Sequence, residues 1–201
     1  MHVQLACIVE GDGEIEAVPL LVRRIAQEVA PNLAVHIVHR IRLSRGKLNK
    51  PVELERAVEL AARRAGAGGA ILIVFDSDGS DPEELEREVL ARAVRVRSDF
   101  AIGVALAHME FEAWFLAAAE SLRGCRGLTA DLTAPADPEA IRGAKEWLSA
   151  HMEKGRTYAP VLDQPALAAT FDLSVARQRS PSFERFYREV TRLLAIRSGR
   201  E

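Results

Sequence analysis

Acidic residues follow three apolar runs of the chain, at the points where strands are expected to end. Glu10 comes directly after the run VQLACIV, and the pair Asp76 and Asp78 comes directly after AILIVF. Glu110 and Glu112 stand shortly after a third run, FAIGVALA. Carboxylates gathered without a nearby cation repel one another, and Mg²⁺ or Mn²⁺ is bound by such oxygen ligands. The pattern therefore predicts a divalent-metal site, provided that the fold brings the three strand ends together.

The alternation of short apolar runs with amphipathic helices indicates how these residues are positioned. Strands are predicted over 3–9, 33–39, 70–75 and 100–107, and a helical pattern follows each of them. Such strand–helix units in succession predict an α/β fold with a parallel sheet of about four strands, covered by helices. Functional groups in such a sheet collect just beyond the carboxyl ends of the strands.

After residue 122 the pattern changes to helices separated by loops. Helices are predicted over 137–152, near 165–171 and over 181–196. We therefore divide the chain into an α/β domain, residues 1–122, and a helical C-terminal extension, residues 123–201, that packs on it.

A carboxylate can also be present only because it favours the first turn of a helix. We interpret Asp12, Glu14 and Glu16 in this way, since a helix is predicted to begin at about Glu14. The same explanation is weaker for Glu10, Asp76 and Asp78, because they stand where the chain leaves a predicted strand.

Three stretches of the chain are similar to a known family. They are IVEGDGEIEAVPLLVRRI, AHMEFEAWFLAAAESLRGCRGL and YAPVLDQPALAATFDLSVARQRSPSFERF. Together with a Glu after the first strand and Asp-x-Asp after the third, they resemble a prokaryotic Toprim-like family, the domain-of-unknown-function group numbered four-two-seven-six. That family is related to the Toprim domains of OLD-family nucleases. The resemblance covers nearly the whole chain and implies a Toprim-like, Rossmann-like sheet in residues 1–122.

The resemblance also implies roles for the acidic residues. In Toprim nucleases the two aspartates, here Asp76 and Asp78, hold Mg²⁺ or Mn²⁺, and the first glutamate, here Glu10, is a metal ligand or a general acid/base. Glu110 or Glu112 would be a fourth carboxylate that completes a second metal site. Which of the two faces the site stays open, as does the number of metals. We favour Glu112 as a catalytic residue beside Glu10, and we assign Glu110 to the metal ligands.

Basic side chains that could contact nucleic acid follow the second strand. The segment RIRLSRGKLNK contains no acid, and its basic residues are Arg40, Arg42, Arg45, Lys47 and Lys50. His108 stands where members of the family often have a basic residue, so we add it to this set. Over the whole chain, 27 Lys and Arg face 29 Asp and Glu, a net charge of −2. Bulk attraction to a polyanion is therefore excluded, and binding of DNA or RNA has to be local.

These observations favour metal-dependent phosphodiester chemistry on nucleic acid, but they leave other functions open. The sequence VFDSDGS also fits a haloacid-dehalogenase-like phosphatase in which Asp76 is the nucleophile, a mechanism that leaves Glu10 without a role. A non-catalytic Toprim-like binding or interaction module is the third reading. An ATPase subunit in DNA repair or phage defence and a second copy of the chain are the protein partners considered.

The remaining composition predicts a cytoplasmic protein. The longest apolar stretches are about eight residues, too short to span a bilayer. Cys7 and Cys125 are far apart in sequence and are interpreted as free thiols in a reducing compartment.

Overall fold

The computed structural model describes residues 2–48, 50 and 52–198. It confirms the α/β prediction, because the strands form one all-parallel sheet in the order β2-β1-β3-β4. In chain order the elements are β1 His2–Val9, α1 Glu14–Val29, β2 Ala34–Arg42, α2 Arg45–Leu48, α3 Glu53–Ala65, β3 Ala70–Asp76, α4 Pro82–Val96, β4 Ala101–Ala107, α5 Ala113–Ala117, α6 Ala144–Ala150, α7 Pro160–Thr170, α8 Leu173–Arg179 and α9 Pro181–Ser198.

The two central strands, β1 and β3, bring the carboxyl ends of the sheet into line. β3 is apolar and buried from Ala70 to Phe75, as expected of a parallel strand covered on both faces. Val9 of β1 lies opposite Val74 of β3, and Asp76 lies opposite Ala107 of β4. The chain therefore leaves all three strands at the same edge, which is the arrangement that the strand-end carboxylates require.

Apolar side chains on both faces of the sheet hold the helices in place. On one face α3 and α4 pack against the sheet, with Val58 and Val89 among the buried residues. On the other face α1 and α9 cover the sheet, with Leu21 and Leu193 buried. Helices that follow residue 122 thus share a hydrophobic core with the strands.

An aromatic cluster around Trp114 fastens α9 to the segment after β4. The Trp114 ring is fully buried, and its centroid lies 4.6 Å from that of Phe111 and 4.9 Å from that of Phe186. Its indole N–H donates to the Ser182 hydroxyl at 2.8 Å, so the polar atom of the ring is satisfied. This explains why the E-F-E-A-W-F and S-P-S-F stretches, distant in sequence, belong to one structural unit.

The helix predicted over 137–152 is instead two pieces, and this prediction was wrong. A single 3₁₀ turn, Pro138–Ala140, is capped by the Asp137 carboxylate, and α6 begins only after Gly143. Gly143 has a φ of 76°, in the left-handed region that favours glycine, so the chain turns sharply there. The first amides of α6 consequently point toward the edge of the sheet.

The longest described helix, α9, has apolar residues on one face and charged residues on the opposite face, as expected of a helix that packs one face against the sheet. Among the described residues, no helix combines the length and the apolar character needed to cross a membrane.

Candidate functional site

Glu10 and Asp76 meet where β1 and β3 leave the sheet. The Glu10 carboxylate accepts a hydrogen bond from the backbone N–H of Asp76 at 3.2 Å. Both residues are half-buried. Burial raises the pKa of Glu10, although the hydrogen bond from Asp76 acts in the opposite direction. The strand ends thus supply two carboxylates to one site, as the spacing in the sequence predicts.

Glu14 is a member of this site that the sequence reasoning assigned only to a helix start. Its side chain is 4% exposed and accepts a hydrogen bond from the backbone N–H of Glu10 at 3.1 Å. Burial, with the negative charges of Glu112 and Glu10, raises the pKa of Glu14 to about 7. The signal that could have identified it is the four-residue spacing from Glu10 across a Gly-Asp-Gly turn, which lets the side chain reach back.

The end of β3 forms a tight turn that Arg45 supports. The Arg45 guanidinium donates to the Asp76 carbonyl at 3.0 Å and to the Ser80 hydroxyl at 3.3 Å. Asp78 is exposed and has a φ of 48°, and its carboxylate lies 3.9 Å from the Arg45 guanidinium. Arg45, which we predicted to bind nucleic acid, therefore also orders the backbone between the two aspartates.

The carboxyl group of Asp76 lies in a strongly negative environment. Burial raises its pKa well above the usual range, and the charges of Glu14 and Glu112 raise it further. Lys145 acts in the opposite direction. The pKa of Asp76 is thus raised both by burial at the end of its own strand and by acidic side chains in the segments that follow β1 and β4.

Lys145 is a further residue that the sequence did not identify. Its ammonium lies 3.0 Å from the Glu110 carboxylate and 3.0 Å from the Glu112 carboxylate. It belongs to α6, whose position depends on the turn at Gly143. The two glutamates raise the pKa of Lys145 although burial opposes them, so Lys145 is held as a cation. A lone lysine in a polar helix carries no motif, which is why the sequence alone could not reveal it.

Glu110 and Glu112 differ in their surroundings. Glu110 accepts hydrogen bonds from the backbone N–H groups of Gly143 at 3.0 Å and Ala144 at 3.2 Å. Burial tends to raise the pKa of Glu110, but its bonds to Lys145 and to these amides lower it overall. Glu110 therefore binds the first turn of α6 as a fixed carboxylate.

Glu112 is fully buried. It accepts hydrogen bonds from the Tyr158 hydroxyl at 3.1 Å and from the Gln164 amide at 3.4 Å. Burial raises the pKa of Glu112 even though Lys145 favours its charged form. Residues just before and within α7 thus close over the carboxylate that we favoured as catalytic.

In the segment predicted to bind nucleic acid, residues 40–50, some basic side chains pair with acidic residues and others are exposed. Arg40 pairs with Glu16, and Arg42 lies 3.0 Å from the Asp12 carboxylate. Lys47 and Lys50 are exposed. His108 is half-buried at the end of β4, and its carbonyl accepts a hydrogen bond from the Glu110 N–H at 2.9 Å. The prediction that the whole segment follows β2 was wrong, because Arg40 and Arg42 belong to the last residues of the strand itself, Ala34–Arg42. Arg45, Lys47 and Lys50 follow β2 at the same edge of the sheet as the acidic residues.

The donor chemistry of the site suits a hard divalent cation, but the side chains are not yet arranged as ligands. Glu10, Asp76 and Asp78 offer carboxylate oxygens, and mutual repulsion makes a cation favourable there. Nevertheless, among the described residues no group of three or more His, Cys, Asp or Glu side chains is positioned to hold a metal ion. A metal bound by these carboxylates would therefore need side-chain rotation, which the exposure of Asp78 permits.

The comparison with known proteins identifies a family but gives no activity. No curated protein matches the chain. The family described as a domain of unknown function, DUF4276, matches residues 9–191, which include every acidic residue of the site. The chain therefore belongs to the DUF4276 family.

Proposed function

We propose that the protein carries out divalent-metal-dependent phosphodiester chemistry on nucleic acid, as a Toprim-type nuclease. The observation that carries this proposal is the contact between Glu10 and Asp76 at the carboxyl edge of the sheet, where the Asp76 backbone N–H donates to the Glu10 carboxylate at 3.2 Å. This contact joins the glutamate after β1 to the Asp-x-Asp after β3 in one site. A function that uses only one of the two strand ends accounts for less of the geometry.

The three acidic residues at the ends of β1 and β3 have proposed roles that follow from their surroundings. Asp76 and Asp78 would hold Mg²⁺ or Mn²⁺, which when bound withdraws charge from a phosphoryl oxygen and lowers the pKa of a bound water. One Glu10 oxygen accepts the Asp76 N–H, and this bond orients the carboxylate. The pKa of Glu10 is raised by burial, so this group is better matched to proton transfer near neutral pH than an exposed glutamate is.

Exposed cations at the same edge would contact the phosphate backbone. Lys47 and Lys50 are exposed and lie within five residues of Arg45, which supports the turn after β3. Arg42 is half-exposed and its ion pair with Asp12 is a surface pair, so exchanging that partner for a phosphate costs little. Contacts of this kind are sequence-independent and weaken as salt concentration rises.

The test is incubation of the protein with supercoiled plasmid, linear DNA and RNA in the presence of Mn²⁺. We expect the wild type to cleave at least one of them and Glu10→Gln to cleave none. Glutamine keeps an oxygen that can accept the Asp76 N–H, so this variant removes the charge and leaves the turn intact. Glu153→Gln, which changes an exposed glutamate in the segment after α6, is the matched control and should cleave like the wild type.

Two other outcomes would replace the proposal. Hydrolysis of small phosphomonoesters that survives Glu10→Gln, with a phosphoryl group trapped on Asp76, would indicate a haloacid-dehalogenase-like phosphatase. If millimolar Mn²⁺ and Mg²⁺ do not raise the melting temperature, and no substrate is cleaved with or without an ATPase partner, the acidic edge belongs to a binding module.

A further inference from the structure

We propose that Lys145 is a built-in counter-ion that takes the place of a second divalent cation, so that the acidic edge binds a single metal ion. The inference rests on the proposed function and concerns how many metals that site holds. It arises from the way the contacts divide five of the acidic residues at this edge into two sets, while the sixth, Glu14, accepts the Glu10 amide.

The first set consists of Glu110 and Glu112, and Lys145 bridges the two. Its Nζ atom lies 3.0 Å from Oε2 of each carboxylate. A cation at this position does what a metal ion bridging two carboxylates would do, because it cancels their repulsion and fixes their spacing.

The other oxygens of these two glutamates are already engaged. Oε1 of Glu110 accepts the Gly143 and Ala144 amides, and Oε1 of Glu112 accepts the Tyr158 hydroxyl. Oε2 of Glu112 has no donor in hydrogen-bond geometry, so its compensation is the charge of the nearby ammonium. A metal could bind this pair only by displacing Lys145.

The second set consists of Glu10, Asp76 and Asp78. Among the described residues, Arg45 is the one cation that lies within ion-pairing distance of a member of this set. That distance is 3.9 Å, to Asp78, and the Arg45 hydrogen bonds go instead to the Asp76 and Ser77 carbonyls and the Ser80 hydroxyl. This set therefore keeps oxygens for one divalent cation. The two sets lie close enough that Asp76 is affected by both Glu112 and Lys145.

The number of bound Mn²⁺ ions is the direct test, measured by electron paramagnetic resonance of free Mn²⁺ and by calorimetry. We expect one ion per wild-type chain and two per Lys145→Met chain, because methionine fills similar space without the charge. Lys145→Met/Glu112→Gln should return to one ion. Lys154→Met, which changes an exposed lysine, is the control and should also bind one.

A second arm does not depend on the folding of Lys145→Met. Glu112→Gln removes a charge that acts on Asp76 only from a distance, so it should lower the Mn²⁺ affinity of the wild-type site much less than Asp76→Asn, which should lower it by more than about tenfold. Two ions in the wild type, or a Glu112→Gln loss as large as that of Asp76→Asn, would overturn the inference. The inference would also be overturned if neither the wild type nor any of the variants binds Mn²⁺.

These readouts separate the inference from the proposed function. One ion in the wild type and two in Lys145→Met, without cleavage of any nucleic acid, would support the role of Lys145 and refute the nuclease. Cleavage by a wild type that holds two ions would support the nuclease and refute the role of Lys145.

Discussion

Replacing Glu14 by glutamine should make the protein more stable at neutral and alkaline pH and leave its stability at pH 4 unchanged. Glu14 is a buried carboxyl whose pKa rises from 4.5 to about 7 on folding. The unfolded chain therefore loses this proton at lower pH than the folded protein does. As pH rises from about 4.5 to 7, the free energy of unfolding falls, because ionisation is easier in the unfolded state.

The size of the effect follows from the two pKa values. One pKa unit corresponds to about 1.4 kcal/mol, so a rise from 4.5 to about 7 gives a penalty of about 3 kcal/mol once Glu14 is ionised in both states. Glutamine cannot ionise, and its amide oxygen can still accept the Glu10 N–H that Glu14 accepts at 3.1 Å. The variant should therefore exceed the wild type by about 3 kcal/mol at pH 8 and match it at pH 4.

The assay is urea unfolding at pH 4, 6 and 8, followed by the fluorescence of the two tryptophans, of which Trp114 is fully buried. Glu16→Gln, on the exposed side of α1, is the control and should change stability by less than about 1 kcal/mol at every pH. A Glu14→Gln advantage that does not depend on pH, or a Glu14→Gln protein less stable than the wild type at pH 8, would refute the electrostatic reasoning.

Two further predictions concern packing and burial. Gly13→Ala should destabilise the protein by about 1–3 kcal/mol in urea unfolding, because the new Cβ would lie 2.1 Å from the Gln164 side-chain oxygen. Gly46→Ala, with no atom within 4 Å of the new Cβ, should not destabilise it. In the native protein a thiol reagent should modify Cys125 quickly and Cys7 only after unfolding, because Cys7 is fully buried and burial raises its pKa to about 12. Rapid reaction of both thiols would contradict the described core.

The strands were predictable because a buried strand requires a short run of apolar residues, which is visible in the local sequence. The run AILIVF predicts a covered parallel strand, and the structure has it as β3, Ala70–Asp76. The same rule places Glu10 and Asp76 at one edge, since residues that follow parallel strands emerge together. The order Asp81, Pro82, Glu83, Glu84 is likewise typical of a helix start, and the Asp81 carboxylate accepts the Glu83 and Glu84 amides at the start of α4.

The second half of the site was not predictable, because it depends on long-range packing. Lys145 reaches Glu110 across 35 positions of sequence, and Tyr158 reaches Glu112 across 46. The first contact depends on α6, which begins after the turn at Gly143. The second involves the segment just before α7, which begins at Pro160 and not near the predicted 165. Only the tertiary arrangement decides which acidic residues are compensated and which are left open.

The net charge of −2 conceals an uneven distribution that bears on how a polyanion would approach. Six carboxylates lie at the edge of the sheet, and in the described part of the chain two cations, Lys145 and Arg45, lie within ion-pairing distance of at least one of them. If all of these groups are ionised, six negative and two positive charges leave a formal charge of −4. The carboxylates are Glu10, Glu14, Asp76, Asp78, Glu110 and Glu112. A phosphate group is repelled by such a surface until a divalent cation binds, because uncompensated like charges at a half-buried site are only weakly screened. Under the proposed function, metal binding therefore precedes productive binding of nucleic acid, and the exposed lysines after β2 increase the local concentration of nucleic acid without completing the site.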